Sequence, residues 1–183
     1  NCYVVTDEDS LDCAVIDPGD ESGTILDYLE DNKLHCRAVL LTHAHFDHVG
    51  AANALLEATG ARLYMCEKEL ELVKGGASGR FTVPEDVKYY RDGDTVEVGG
   101  LRFEVMETPG HTPGGVTLRC GEALFTGDTL FRGSCGRTDF AGGDMRQELR
   151  SLKRIAELPG DYEVYPGHAE SSMLSIEREH NPY

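Results

Sequence analysis

Apolar residues fall along this chain in two rhythms, and the change of rhythm marks its elements. Residues 2–6 and 13–17 are short β-branched or apolar runs joined by the polar stretch 7–10, which predicts a hairpin. The chain opens inside the first of these strands, so an earlier strand is expected before it. From 21 to 32 the rhythm changes, with Ile25, Leu26 and Leu29 at helical spacing. Residues 37–41 make a short, nearly continuous apolar run, the pattern of a strand covered on both faces. Residues 49–59 read as one helix closed by Gly60. A strand over 62–65 and a short helix over 67–73 follow, then a loop over 75–92 that shows little periodicity.

The second half repeats the scheme. Strands over 95–98 and 101–107 flank Gly99-Gly100, and strands over 116–119 and 123–126 flank Gly121-Glu122. Asp144 with Gln147 starts a helix in the manner of a capping box, and Leu149, Leu152, Ile155 and Ala156 keep its 3–4 spacing. A last buried strand over 163–165 and a helix over 173–179 close the chain. Two strand-rich portions that each gain helices pack most economically as an α/β fold in four layers, two sheets face to face with helices outside.

Composition narrows this to one domain over residues 1–183, since a chain of 183 residues with 40% hydrophobic content buries most of its surface. The formal net charge of −16 repels phosphate backbones and anionic lipid, so neither nucleic acid nor a membrane surface is the expected partner. Metal ions can invert that potential within a cleft. Cys2, Cys13, Cys36, Cys66, Cys120 and Cys135 are scattered without a paired framework, and no apolar run reaches membrane length. A reducing cytoplasm is the expected setting.

The densest chemistry is Thr42-His43-Ala44-His45-Phe46-Asp47-His48, directly after a predicted strand. Imidazole and carboxylate are ligands for zinc and similar ions. Alternate residues at a strand end present His43 and His45 to one side, and Asp47 and His48 can turn to a second point nearby. Random order would place such a string in on the order of one per thousand chains of this composition. His111 lies in Pro109-Gly110-His111, Asp128 in Gly127-Asp128, and His168 in Pro166-Gly167-His168. Each follows a predicted strand beside a glycine that permits a sharp bend. His35 and His180 lie outside this pattern and are expected at the surface.

These motifs, in this order, resemble the metallo-β-lactamase superfamily, and within it the hydroxyacylglutathione hydrolases (glyoxalase II). The likeness runs from Asn1-Cys2-Tyr3 to His180-Asn181-Pro182-Tyr183. The resemblance implies the four-layer αββα sandwich and two divalent metal ions, zinc first, with iron or manganese as alternatives. It implies His43, His45 and His111 on one metal, Asp47, His48 and His168 on the other, and Asp128 bridging them. Two such ions share and activate a water or hydroxide for attack on a carbonyl, and Asp47 would also orient the nucleophile or handle its proton. The implied activity is thioester hydrolysis, with a small-molecule thioester as partner.

The stretch Gly136-Arg137-Thr138-Asp139-Phe140 resembles small single-domain glyoxalase II-like proteins and also persulfide dioxygenases. Arg137 could hold a substrate carboxylate, or Asp139 could pair with it to fix the loop. The dioxygenase reading would place one iron on His43, His111 and Asp128. A non-catalytic metal-binding module, and hydrolysis of lactones, β-lactams or phosphodiesters, are further alternatives. The sequence ends soon after His168, so the C-terminal helical domain that supplies much of the glutathione surface in two-domain relatives is expected to be absent. Its loss implies weak binding of glutathione thioesters.

Overall fold

The computed structural model describes all 183 residues. One sheet holds β1 (Tyr3–Thr6), β2 (Asp12–Ile16), β3 (His35–Leu40), β4 (Arg62–Cys66) and β5 (Lys88–Tyr90) in that order. The first two pair antiparallel, and β2 through β5 run parallel. The other sheet is built from β6 (Thr95–Val98), β7 (Leu101–Glu107), β8 (Val116–Cys120) and β9 (Ala123–Gly127), an antiparallel meander. A small hairpin, β10 (Leu130–Phe131) with β11 (Ser134–Cys135), projects beyond it. The sheet is completed by β12 (Glu163–Pro166), parallel to β9, and β13 (Ser172–Met173) at its edge.

Strand alternation assigns three cores to the layers. Ala14, Ile16, Ala38 and Leu40 of the first sheet meet Val96, Val98, Phe103, Val105, Val116, Leu118 and Phe125 of the second. The opposite face of the first sheet, through Cys13, Val15, Val39 and Leu41, packs under α1 (Ser22–Asp31) and α3 (Ala52–Thr59). The opposite face of the second sheet, through Met106, Leu124 and Val164, takes Leu152 and Ile155 of α5 (Met145–Ala156) and Leu174 of α6 (Leu174–His180). This is the four-layer αββα sandwich.

Two expectations change. Residues 49–59 are not one helix. A single turn, α2 (Phe46–Val49), is separated from α3 at Gly50-Ala51. The cause is the Asp17–Gly19 segment, which presses on the turn. The Ala51 amide donates to Pro18 O at 2.9 Å. A Cβ on Gly50 would lie 2.2 Å from Gly19 O, and one on Gly19 would lie 1.9 Å from Asp47 O. Residues 75–92 are not all loop, because Lys88–Tyr90 pairs with β4 as the edge strand. Three residues are too few to show a period. That segment follows α4 (Leu70–Lys74), itself preceded by a 3₁₀ turn at Glu67–Glu69.

The capping at Asp144 is as expected: its carboxylate accepts from the amides of Arg146 and Gln147, and the Gln147 side chain donates back to it.

Phe103 is fully buried between the sheets. Phe103→Ala is expected to cost about 3–5 kcal/mol, seen as a lower urea midpoint with an unchanged slope.

Candidate metal centre

The reactive side chains come from strand ends that meet at one edge of the sandwich. From the first sheet, β2 leads into Asp17 and β3 into the loop Thr42–His48. From the second, β7 leads to His111, β9 to Asp128 and β12 to His168. The two sheets are tied at this edge where the Val116 amide donates to Thr42 O at 2.9 Å. Within the second sheet, the Gly167 amide donates to Gly127 O at 2.7 Å. A side chain at Gly167 would lie 2.2 Å from Asp128 Oδ1 and 2.7 Å from His48 Cε1, so glycine is required for His168 to close in.

The histidines are oriented by what their far nitrogens touch. His111 Nδ1 donates to Arg137 O at 2.7 Å, and a carbonyl can only accept, which leaves Nε2 with its lone pair. His48 Nδ1 faces Asp17 Oδ2 at 3.0 Å, and its Nε2 is likewise left as a lone pair. The Thr42 hydroxyl donates to Asp17 Oδ2 at 2.5 Å and so accepts from His43 Nδ1 at 3.1 Å. These assignments follow from the partners. They aim His43, His48 and His111 Nε2 inward.

In each of three groups the possible ligand atoms lie within 4.8 Å of one another: His43, His45 and His111; Asp47, His48 and His168; and Asp17 with His43 and His48, of which Asp17 is engaged by Thr42 and His48. Asp128 lies between the first two, with Oδ2 3.5 Å from His111 Nε2 and 3.4 Å from His168 Nε2, and Oδ1 3.4 Å from His48 Nε2. His168 Nε2 is 3.2 Å from Asp47 Oδ2. The seven residues expected as ligands are thus brought together at this edge. His35 and His180 are exposed and outside it.

The donor set fits divalent cations. His45 Nδ1 sits 2.9 Å from His111 Nε2, two basic nitrogens aimed at one point, so a proton or a cation belongs between them. His43 Nε2 and Asp128 Oδ1 are buried without a hydrogen-bond partner, a cost that coordination removes. Burial lowers the pKa of His43 well below the ordinary imidazole value, and burial with His111 nearby lowers His45 to about 4. Burial also lowers His111. Neutral imidazole is the ligating form. In the second set, burial pulls His48 down but its bond to Asp17 outweighs this and raises it. The bond to Asp128 raises His168.

Asp17, Glu69 and Glu148 were missed by sequence reasoning. Asp17 is buried and accepts from the Thr42 amide at 2.7 Å, the Thr42 hydroxyl and His48, so its lone pairs are committed to holding ligands in place. It stands in Ile16-Asp17-Pro18-Gly19, the same strand-then-glycine setting used to find the other ligands, with a left-handed φ of 49°. Glu69 is fully buried and accepts from the Ala44 and Gly114 amides, both at 2.7 Å, which joins the loops carrying His45 and His111. Glu148 accepts from the His111 amide at 2.8 Å, and burial raises its pKa to about 8. Neither glutamate carries a signal in sequence, because only the folded partners reveal its role.

Arg137 makes a bidentate pair with Asp139, at 2.7 Å for each contact, and its guanidinium lies 4.0 Å from the centroid of the Phe140 ring. Of the two readings for this residue, the loop-fixing contact is the one formed.

Comparison with known proteins agrees with this geometry. The family model described as the metallo-beta-lactamase superfamily matches residues 1–168. The hydroxyacylglutathione hydrolase GloC of Haemophilus influenzae is 33% identical, with 100% of this chain and 92% of that protein covered. The crystal structure of TTHA1623 in a di-iron-bound form superposes with a TM-score of 0.88 at 37% identity, covering 100% of this chain and 93% of that one. The BLEG-1 B3 metallo-beta-lactamase superposes with a TM-score of 0.90 at 32% identity, covering 100% and 92%.

Asp17→Asn is expected to weaken metal binding at the Asp47, His48 and His168 set by about 10–100-fold, the usual effect of an outer carboxylate, while His35→Ala leaves binding unchanged. Metal titration of the purified variants measures this. Acidification has an ordered effect. Raised pKa values at His48 and His168 let protons compete for the second set at higher pH than for the first, whose imidazoles are held low. As pH falls through and below about 6.5, the ordinary imidazole value, the second ion is expected to leave before the first, as followed by metal content after equilibrium dialysis.

Proposed function

The chain belongs to the metallo-β-lactamase superfamily, and from that premise we propose that it is a dinuclear metallohydrolase acting on thioesters. The observation that carries the reading is the pair of ligand sets with Asp128 between them. His43, His45 and His111 would hold one ion, Asp47, His48 and His168 the other, and Asp128 both. Zinc suits this imidazole-and-carboxylate set, and iron or manganese is compatible with it. When bound, such ions supply an activated water at neutral pH and positive charge for the oxyanion of a carbonyl under attack. The likeness to GloC supports a thioester over other acyl compounds.

The chain's own residues divide the remaining work. Asp17, Thr42 and the Arg137 carbonyl fix the imidazole tautomers, so no ligand has to reorient during turnover. The first set is buried and closed to solvent, whereas the side chains of Asp47 and His168 are 38% and 48% exposed. A substrate therefore reaches the centre over Asp47 and His168. Asp47, partly exposed and with Oδ2 3.2 Å from His168 Nε2, would orient a water and accept its proton. A small uncharged or weakly charged thioester is the expected partner, and the acidic surface suits neither nucleic acid nor anionic membranes. No helix is long and apolar enough to cross a membrane. A cytoplasmic setting completes the proposal, consistent with six free cysteines.

Zinc-loaded protein should hydrolyse S-lactoylglutathione and simple acyl thioesters faster than a chromogenic cephalosporin, and Fe(II)-loaded protein should consume no oxygen with a persulfide substrate. Turnover of the lactam or the persulfide alone would overturn the reading. Asp128→Ala should lose metal affinity by at least about a hundredfold, since outer partners alone are worth roughly 10–100-fold. Asp47→Ala should lower kcat by about 10²–10⁴, the range of general acid–base assistance. Normal thioester turnover with full metal content in Asp128→Ala would show that the site is elsewhere.

A further inference from the structure

The mouth of the metal cleft is aromatic, and its nearest arginines are already occupied. Phe46, the residue between His45 and Asp47, has 65% of its surface exposed, and Phe140 has 48%. Phe140 packs edge-on against the His45 ring, with centroids 5.9 Å apart. Phe131 packs edge-on against His168 at 6.0 Å. Aromatic surface thus flanks both ligand sets. Burying such rings against a ligand gains free energy in proportion to the apolar area covered.

Anion recognition needs an available cation, and the two arginines of this rim are committed. Arg137 is held bidentate by Asp139 and stacks on Phe140. Arg132 is paired with Glu170. Beside Asp47 runs an open groove of about 330 Å³ lined by Asn1, Cys2, Gly19, Asp20, Phe46 and Asp47, in which the Asn1 ammonium is engaged by Gly167 O. Of its two acidic side chains, Asp47 is engaged as a ligand, which leaves Asp20 as the free negative charge. A carboxylate placed there meets the Asp20 charge, while an alkyl or aryl group meets the Phe46 ring. Arg80, a cation without an ion pair, follows Gly79, where an added Cβ would lie 3.3 Å from Phe46 Cβ.

We propose that this cleft selects thioesters by an uncharged, apolar acyl or thiol arm seated against Phe46 and Phe140, and disfavours arms that carry carboxylates. The proposal rests on the thioesterase reading for its chemistry, but its binding component stands apart from turnover. Selection by apolar contact raises affinity with each added methylene, by about two- to fourfold while the arm remains in contact with the rings.

The test uses zinc-loaded protein and two matched thioethers that cannot be hydrolysed, S-hexyl-N-acetylcysteamine, which is neutral, and S-hexylglutathione, which carries two carboxylates. Calorimetry at low salt should give the neutral ligand at least about threefold tighter binding. Phe140→Ala and Phe46→Ala should each weaken it by about three- to tenfold, and Phe140→Leu should restore part of the loss. Hydrolysis rates of the hexanoyl thioesters of the same two thiols should follow the same order. Tighter binding of S-hexylglutathione, with the advantage lost in Arg137→Gln or Arg80→Gln, would overturn the proposal and identify the arginine that anchors the anion. Preference for the neutral thioether without turnover of either thioester would leave the binding inference standing and contradict the thioesterase reading instead.

Discussion

The structure is organised around lone pairs that repel one another. Imidazole nitrogens from five histidines and oxygens from two aspartates are aimed into one small volume at the edge of the sandwich. Left alone, such a set would spread or take up protons. Its own hydrogen bonds prevent the spreading, since Asp17, Thr42 and the Arg137 carbonyl hold the outer nitrogens of His48, His43 and His111. Buried carboxylates hold the loops themselves, with Glu69 on the Ala44 and Gly114 amides and Glu148 on the His111 amide. Divalent cations satisfy what remains, so the metal and the fold stabilise one another by linkage.

The two halves of the centre differ in a way that suits catalysis. One half lies deep, its histidines kept neutral by burial. The other opens to solvent at Asp47 and His168, where a substrate can arrive and a proton can leave. The aromatic residues stand at that opening and not in the core, although Phe46 and Phe140 follow directly on segments fixed by the ligand scaffold. A single edge of the sheets therefore supplies ligand geometry, a dry interior and an apolar entrance.

Much of this was legible in the sequence because the ligands sit at strand ends beside glycines, where local pattern and chemistry coincide. His43, His45, Asp47 and His48 form one string, and His111, Asp128 and His168 each follow a strand and a glycine. The sandwich followed from strand-rich portions that each acquire helices. Asp17 obeyed the same local rule, but a lone aspartate before Pro-Gly also reads as an ordinary turn. Glu69 and Glu148 left no trace, because a helix position shows its face but not which loop amides will meet it. The break at Gly50-Ala51 and the strand at Lys88–Tyr90 depend on neighbours distant in sequence, Pro18 and Gly19 in one case and β4 in the other. Tertiary contacts of this kind override local periodicity.

The most direct test of two-metal catalysis is to titrate zinc into metal-free protein while following both bound metal and thioester hydrolysis. Hydrolysis that rises until about two equivalents are bound per chain, as a shared two-ion site requires, and that stops near one equivalent in His168→Ala, is the predicted result. Full hydrolysis at one equivalent, unchanged in His168→Ala, would contradict it.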